Sequence, residues 1–134
     1  MLSAVIVTHA NLAQALLEAA ARVAGGEVSN LETLSNDGLG PEELTARVGA
    51  AVARASGDGC IVFVDLIGSS CATACAPLLH GSPCLRILSG VNLPMVVDFV
   101  LRRADLDLDA MVQRLLQRGQ GSIQELRSQK SQEG

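Results

Sequence analysis

Cys60-Ile61-Val62-Phe63-Val64 is the most continuous apolar run in the 134-residue chain, and it constrains the fold more than any other stretch. It is five residues long, rich in β-branched and aromatic side chains, and bounded by Gly57-Asp58-Gly59 and Asp65. A strand with one face in water alternates apolar and polar residues. One that is apolar at every position must be covered on both faces, which is the condition of a strand inside a parallel sheet flanked by helices.

The rest of the chain supplies the parts such a sheet needs. Leu2 to Val7 reads as a first strand, ending at Thr8-His9-Ala10-Asn11. Leu12, Leu16, Leu17, Ala20, Val23 and Ala24 then recur at helical spacing, with Asn11 placed to cap the start and Gly25-Gly26 to end it. Val28 to Leu34, interrupted by Ser29, Asn30 and Glu32, predicts a weaker edge strand before a loop at Asn36 to Gly40. Pro41, Glu42 and Glu43 open a second helix carried by Leu44, Val48, Ala51, Val52 and Ala55. After Asp65, the Leu66 to Ser70 turn leads to a helix over Cys71 to Leu79, stopped by His80-Gly81-Ser82-Pro83. A strand at Cys84 to Leu88 turns through Ser89 to Leu93 into a helix begun by Pro94, with Val96, Val97, Val100 and Leu101 on its face. Leu108, Met111, Val112, Leu115 and Leu116 give a last helix, Ser122 to Leu126 a short strand, and Arg127 to Gly134 a polar tail expected to be disordered. The expectation is one domain over residues 1–126, an α/β doubly wound, mostly parallel sheet with helices on both faces and an order beginning 2-1-3-4.

That order brings two chemical groups together. The strands on either side of the switch point end at His9 and at Asp65, which would make the two neighbours across the crevice where open α/β sheets place their ligands. A carboxylate beside an imidazole fixes its tautomer and stabilises the ring once the other nitrogen becomes substituted and cationic. The free nitrogen is then a directed nucleophile. Gly68, Ser69 and Ser70 open the following helix and offer amides and hydroxyls to an anion. Together these describe a phosphoryl acceptor, and without a Walker-type loop the donor is not expected to be a nucleotide bound here.

Composition excludes other classes. A net charge of −4, two Phe, and no Trp or Tyr leave neither the basic patch nor the stacking platforms that nucleic-acid binding uses. Hydrophobic residues at 49% against 18% charged suggest a face shared with another subunit. No run reaches membrane-spanning length, and the opening run lacks the basic stretch and length of a signal sequence. A cytoplasmic protein with reduced thiols at Cys60, Cys71, Cys75 and Cys84 is expected. Cys71 and Cys75, one helical turn apart, raise a metal or redox site with His9 or His80, and Cys71 at a helix start suggests a lowered pKa; packing of small apolar side chains is the preferred account, and no metal is expected. His80 reads as a helix-end residue, and Asp105, Asp107 and Asp109 as a solvated connector lacking the glycine and distal glutamate of a calcium loop.

Val7-Thr8-His9, Val64-Asp65-Leu66-Ile67-Gly68-Ser69-Ser70 and Gly90-Val91-Asn92-Leu93-Pro94-Met95 resemble the IIA component of the mannose-type bacterial sugar phosphotransferase system, over roughly Met1 to Leu126. The resemblance implies a homodimer in which the strand at Ser122 to Leu126 is exchanged between subunits. It implies that His9 takes a phosphoryl group from an HPr-type phosphocarrier and passes it to a IIB component for sugar uptake, with no cofactor, and that the membrane is met only through the transporter components. Asp65 would hold the ring nitrogen not attacked, Ser70 and nearby amides the phosphoryl oxygens, and Thr8, Gly90, Asn92 and Pro94 would line the site. Two stretches depart from the pattern: Gly68-Ser69-Ser70-Cys71 stands where members commonly have Gly-Gly-Ser-Pro, and Ala10 where glycine often follows the histidine. A regulatory sensor of phosphorylation state, or a degenerate relative that binds without transport, is the alternative. The phosphotransfer subunit of dihydroxyacetone kinase is a further one, disfavoured because Leu66 and Ile67 lengthen the turn before the glycine.

Overall fold

The computed structural model describes residues 1–26, 28–55 and 57–128. Four strands form one parallel sheet in the order β2-β1-β3-β4: β1 Ser3–Thr8, β2 Leu31–Ser35, β3 Cys60–Val64 and β4 Leu85–Ser89. Five helices connect and follow them: α1 Leu12–Ala24, α2 Pro41–Arg54, α3 Ser70–Cys75, α4 Leu93–Arg102 and α5 Leu108–Gly121. None is long and apolar enough to cross a membrane.

The unbroken apolar character of β3 has its physical counterpart in the two cores. Ile61 and Phe63 point to one face, where α1, α4 and α5 bring Ala13, Ala20, Val96, Phe99, Met111 and Leu115. Val62 and Val64 point to the other, where α2 and α3 bring Leu44, Val48, Ala51, Cys71, Ala74 and Cys75. Each strand residue is buried because successive side chains alternate between two covered faces. Phe63 and Phe99 meet edge to face with ring centroids 5.8 Å apart.

Several boundaries differ from the sequence reading. The strand expected from Val28 begins at Leu31, since Asn30 takes a positive φ of 63° and turns the chain into the sheet. As expected, β2 lies at an edge. The helix expected over Cys71 to Leu79 is α-helical only to Cys75; Ala76–Leu79 tighten into a 3-10 turn because Pro77 has no amide to offer Thr73. Asn11 does not cap α1 with its side chain; the amide of Ala13 instead finds the hydroxyl of Thr8 at 2.7 Å. Asp107 caps α5, and Asp109 pairs with Arg86, which gives two of the three connector aspartates structural partners.

Ser122 to Leu126 forms no strand within the described chain. Ile123 and Leu126 are 81% and 93% exposed there. Of the tail, residues 129–134 lie outside the described residues.

Candidate functional site

The carboxyl ends of β1 and β3 are adjacent in the sheet, with Val7 in register with Val64. One residue beyond the last residue of each strand, the chain presents His9 and Asp65. The aspartate is three times anchored: Oδ2 accepts from the His9 amide at 2.9 Å and lies 2.8 Å from His9 Nδ1, and Oδ1 accepts from the Leu66 amide at 3.0 Å. The Asp65 side chain is 10% exposed and that of His9 43%. Burial pushes the Asp65 carboxyl upward, but the His9 amide, ring and charge, together with its own backbone, outweigh burial and hold it below the ordinary carboxylate value. An ionised carboxylate accepts only, so Nδ1 carries the hydrogen in that contact and Nε2 is left with its lone pair.

β1 is held at this edge from two sides. Thr8, fully buried, accepts from the Ala13 amide through its hydroxyl and from the Asn36 amide through its carbonyl at 3.1 Å. The amide of Val91, in the turn after β4, donates to the carbonyl of Val64 at 3.1 Å and fixes the end of β3 directly before Asp65. Gly90 makes that turn with φ +77°.

The turn from Leu66 to Cys71 sits over the pair. Gly68 takes φ +74°, a conformation that costs a residue with a side chain about 1 kcal/mol or more. The hydroxyl of Ser69 is committed to the turn: it donates to the Leu66 carbonyl at 2.7 Å and accepts from the Ala72 amide at 3.4 Å. Ser70 is placed differently, with its hydroxyl 3.5 Å from Asn36 Nδ2. Of the two serines expected to hold an anion, Ser70 is the one whose hydroxyl is not tied to a backbone group of the turn among the described residues. The sequence marks Asn36 only as loop, although the edge position of β2 next to β1 is a signal that the residue following β2 reaches the same crevice.

Asn92 and Pro94 face elsewhere. Asn92 caps α4 by accepting from the Met95 amide at 3.2 Å, and its Nδ2 reaches the Gly119 carbonyl at 3.1 Å and Ser122 Oγ at 3.5 Å. Pro94 lines a concavity with Arg114, Gln117, Arg118 and Ser122 on the α5 side. Among the described residues, the polar contacts of this loop's side chains go to α4 and α5 rather than to His9.

Cys71 corrects one expectation. It is fully buried, and burial together with the Asp65 charge pushes its thiol above the ordinary value, with the Ser70 hydroxyl only partly offsetting them. A helix of six residues is too short to lower it. Cys75, deeper in the same core, is pushed up to about 12 by burial and by Cys71. Cys71 Sγ nevertheless lies 3.9 Å from His9 Nδ1, so a thiol, an imidazole and a carboxylate share the base of the crevice. His80 ends the 3-10 turn and is exposed.

Chemically, the arrangement presents one half-exposed imidazole nitrogen with its partner nitrogen fixed. A family model, EIIA-man, described as the fructose IIA component of the phosphotransferase system, matches residues 3–116. The fold is similar to that of phosphotransferase system component EIIA from Streptococcus agalactiae, 20% identical with a TM-score of 0.85 over 93% of this chain and 97% of that one. The mannose/sorbose-specific IIA subunit from Enterococcus faecalis is 21% identical with a TM-score of 0.81, over 94% and 95%. A putative phosphoenolpyruvate-dependent sugar phosphotransferase permease from Klebsiella pneumoniae is 26% identical with a TM-score of 0.80, over 92% and 90%. No curated protein matches the chain by sequence.

Proposed function

The chain belongs to the EIIA-man family of phosphotransferase system IIA components, and on that premise we propose that His9 is the residue through which it carries a phosphoryl group. Phosphotransfer through a histidine is the activity of the family; the identity of the acceptor and of the partners is the finer reading. In it, the Nε2 lone pair of His9 attacks the phosphorus of a phosphohistidine on an HPr-type carrier. The donor's N–P bond breaks, the donor imidazole leaves with the electron pair, and a new N–P bond forms at Nε2. His9 then passes the group to a IIB component by the same step in reverse, in the cytoplasm, for uptake of a sugar.

The observation that carries this reading is the 2.8 Å contact of Nδ1 with an Asp65 oxygen that also accepts the His9 amide. Asp65 holds the ring in one tautomer and orientation and compensates the cationic ring that forms on phosphorylation. Such a transfer has a loose transition state, so positioning and charge compensation supply most of what it requires. Ser70, with the Gly68 to Ser70 turn, supports the phosphoryl oxygens; Thr8 and Gly90 act behind the site by fixing the ends of β1 and β3.

Residues 1–126 form the working domain, as a homodimer. The exposed Ile123 and Leu126 are the apolar side chains that an exchanged strand would bury against a second subunit. Incubation with phosphoenolpyruvate, enzyme I and HPr, followed by intact mass, tests the carrier role: one acid-labile phosphoryl group is expected on the wild type and none on His9→Ala. Labelling that survives in His9→Ala assigns the acceptor elsewhere.

A further inference from the structure

From the convergence of three unlike donor atoms we infer that His9, Asp65 and Cys71 form a binding site for a thiophilic divalent cation of the Zn²⁺ class, and that the loaded site is a blocked form of the carrier. The ligating atoms of the three residues lie within 4.8 Å of one another, with Sγ 3.9 Å and Oδ2 2.8 Å from Nδ1. Bonds of about 2.0–2.3 Å in tetrahedral geometry put ligand atoms roughly 3.3–3.8 Å apart. The thiol is already near that spacing, and the carboxylate has to open by only about half an ångström. A nitrogen, a sulfur and an oxygen donor together favour Zn²⁺ over Mg²⁺ or Ca²⁺, which take oxygen. His9, 43% exposed, leaves a solvent side for entry and for a fourth ligand.

Loading costs the thiol its proton, which leaves to solvent, and gives the metal the nitrogen that otherwise bonds Asp65. The neutral ring then keeps its single hydrogen on Nε2. That atom has no lone pair left for phosphorus, so metal and phosphoryl group exclude one another. This consequence, unlike the site itself, rests on the reading of His9 as the acceptor. Cys71 lies at the position where the sequence departs from the Gly-Gly-Ser-Pro pattern, so the site is a property of this chain.

Titration of the metal-free protein with Co²⁺ reads the site without any transfer assay. Wild type is expected to develop the near-ultraviolet thiolate-to-cobalt band at one equivalent, discharged by Zn²⁺. Cys71→Ser and His9→Gln should lose it, and Cys84→Ser, which removes an exposed and distant thiol, should keep it. Thermal melts accompany each variant; if Cys71→Ser does not fold, His9→Gln at a half-exposed position decides. No band in wild type, a band that survives Cys71→Ser or His9→Gln, or one that vanishes in Cys84→Ser overturns the site. Phosphorylation from phospho-HPr with and without one equivalent of Zn²⁺ then tests the block. Zn²⁺ is expected to suppress it, and undiminished labelling at full metal occupancy refutes the block. A protein that binds Co²⁺ as described but is not labelled even when metal-free would disprove the carrier reading and leave the cation site standing.

Discussion

Two regions lie at the same edge of the sheet, the pair of loops after β1 and β3 and the single loop after β4, and they spend their polar groups differently. In the β4 loop, Asn92 makes hydrogen bonds to the Met95 amide, the Gly119 carbonyl and Ser122 Oγ, all within the fold. At the β1 and β3 ends, Asp65 is as fully engaged, but its partner His9 keeps Nε2 out of the hydrogen bonds among the described residues. A polar side chain whose capacity is used internally stabilises the fold. One held rigidly by a single partner and left with an unused nitrogen toward solvent is fitted for chemistry.

The largest effect that could break this contrast is expected at Asp65. Asp65→Asn keeps the shape but turns its NH2 either toward both the His9 amide and Nδ1 or, with the oxygen kept there, toward the Leu66 amide, and in each case removes the negative charge. Phosphoryl transfer should slow by about 10²–10⁴-fold with a cooperative melt retained, measured by quenched-flow labelling from phospho-HPr. A rate within threefold of wild type (about threefold being well short of that loss) would mean the aspartate only holds the turn together.

Asn92→Ala should do the opposite. Loss of the cap and of the tie to Gly119 is expected to cost about 1–2 kcal/mol of stability, read by urea unfolding, while labelling of the folded protein stays near wild type. If transfer collapses with the fold intact, the two loops are one functional site and the contrast is wrong.

A smaller change sharpens the first region alone. Ala10 is held at φ +51°, a left-handed conformation in which the methyl is a burden. Ala10→Gly should raise stability by about 0.5–1 kcal/mol by the same urea assay, without altering which residue is labelled. The smallest effect belongs to neither loop. Glu32 accepts two hydrogen bonds from Arg54, at 2.9 and 2.7 Å, and chiefly that contact holds its carboxyl below the ordinary value against a weaker opposing effect of burial. A depressed carboxylate contributes stability above its unfolded pKa and loses it as pH falls through the folded value, so the wild-type advantage over Glu32→Gln should shrink as pH drops from about 4.5 downward. Because the pair is exposed, that advantage should be slight at any pH.

The strand order and the meeting of His9 with Asp65 were legible because both follow from patterns that depend on backbone period: an apolar run with no polar face, alternating with helical spacing, leaves few topologies. What escaped depends on side-chain reach. Thr8 rather than Asn11 bonds the start of α1 because a buried hydroxyl five residues upstream finds Ala13, and no spacing rule encodes that. Asn36 reaches Ser70 across the end of β1. Ser69 and Ser70 are equivalent as letters, yet the turn consumes one hydroxyl and spares the other. The arm at Ser122 to Leu126 has strand character in sequence and none in the described chain.

In the proposed transfer, Asp65 keeps Nδ1 and leaves Nε2 to the phosphoryl group. The most direct measurement is ¹⁵N and ³¹P NMR of the protein phosphorylated with labelled histidine, read for which ring nitrogen of His9 couples to phosphorus. Coupling is expected at Nε2, with Nδ1 still protonated and bonded to Asp65. Phosphorus on Nδ1, or on a residue other than His9, would contradict it.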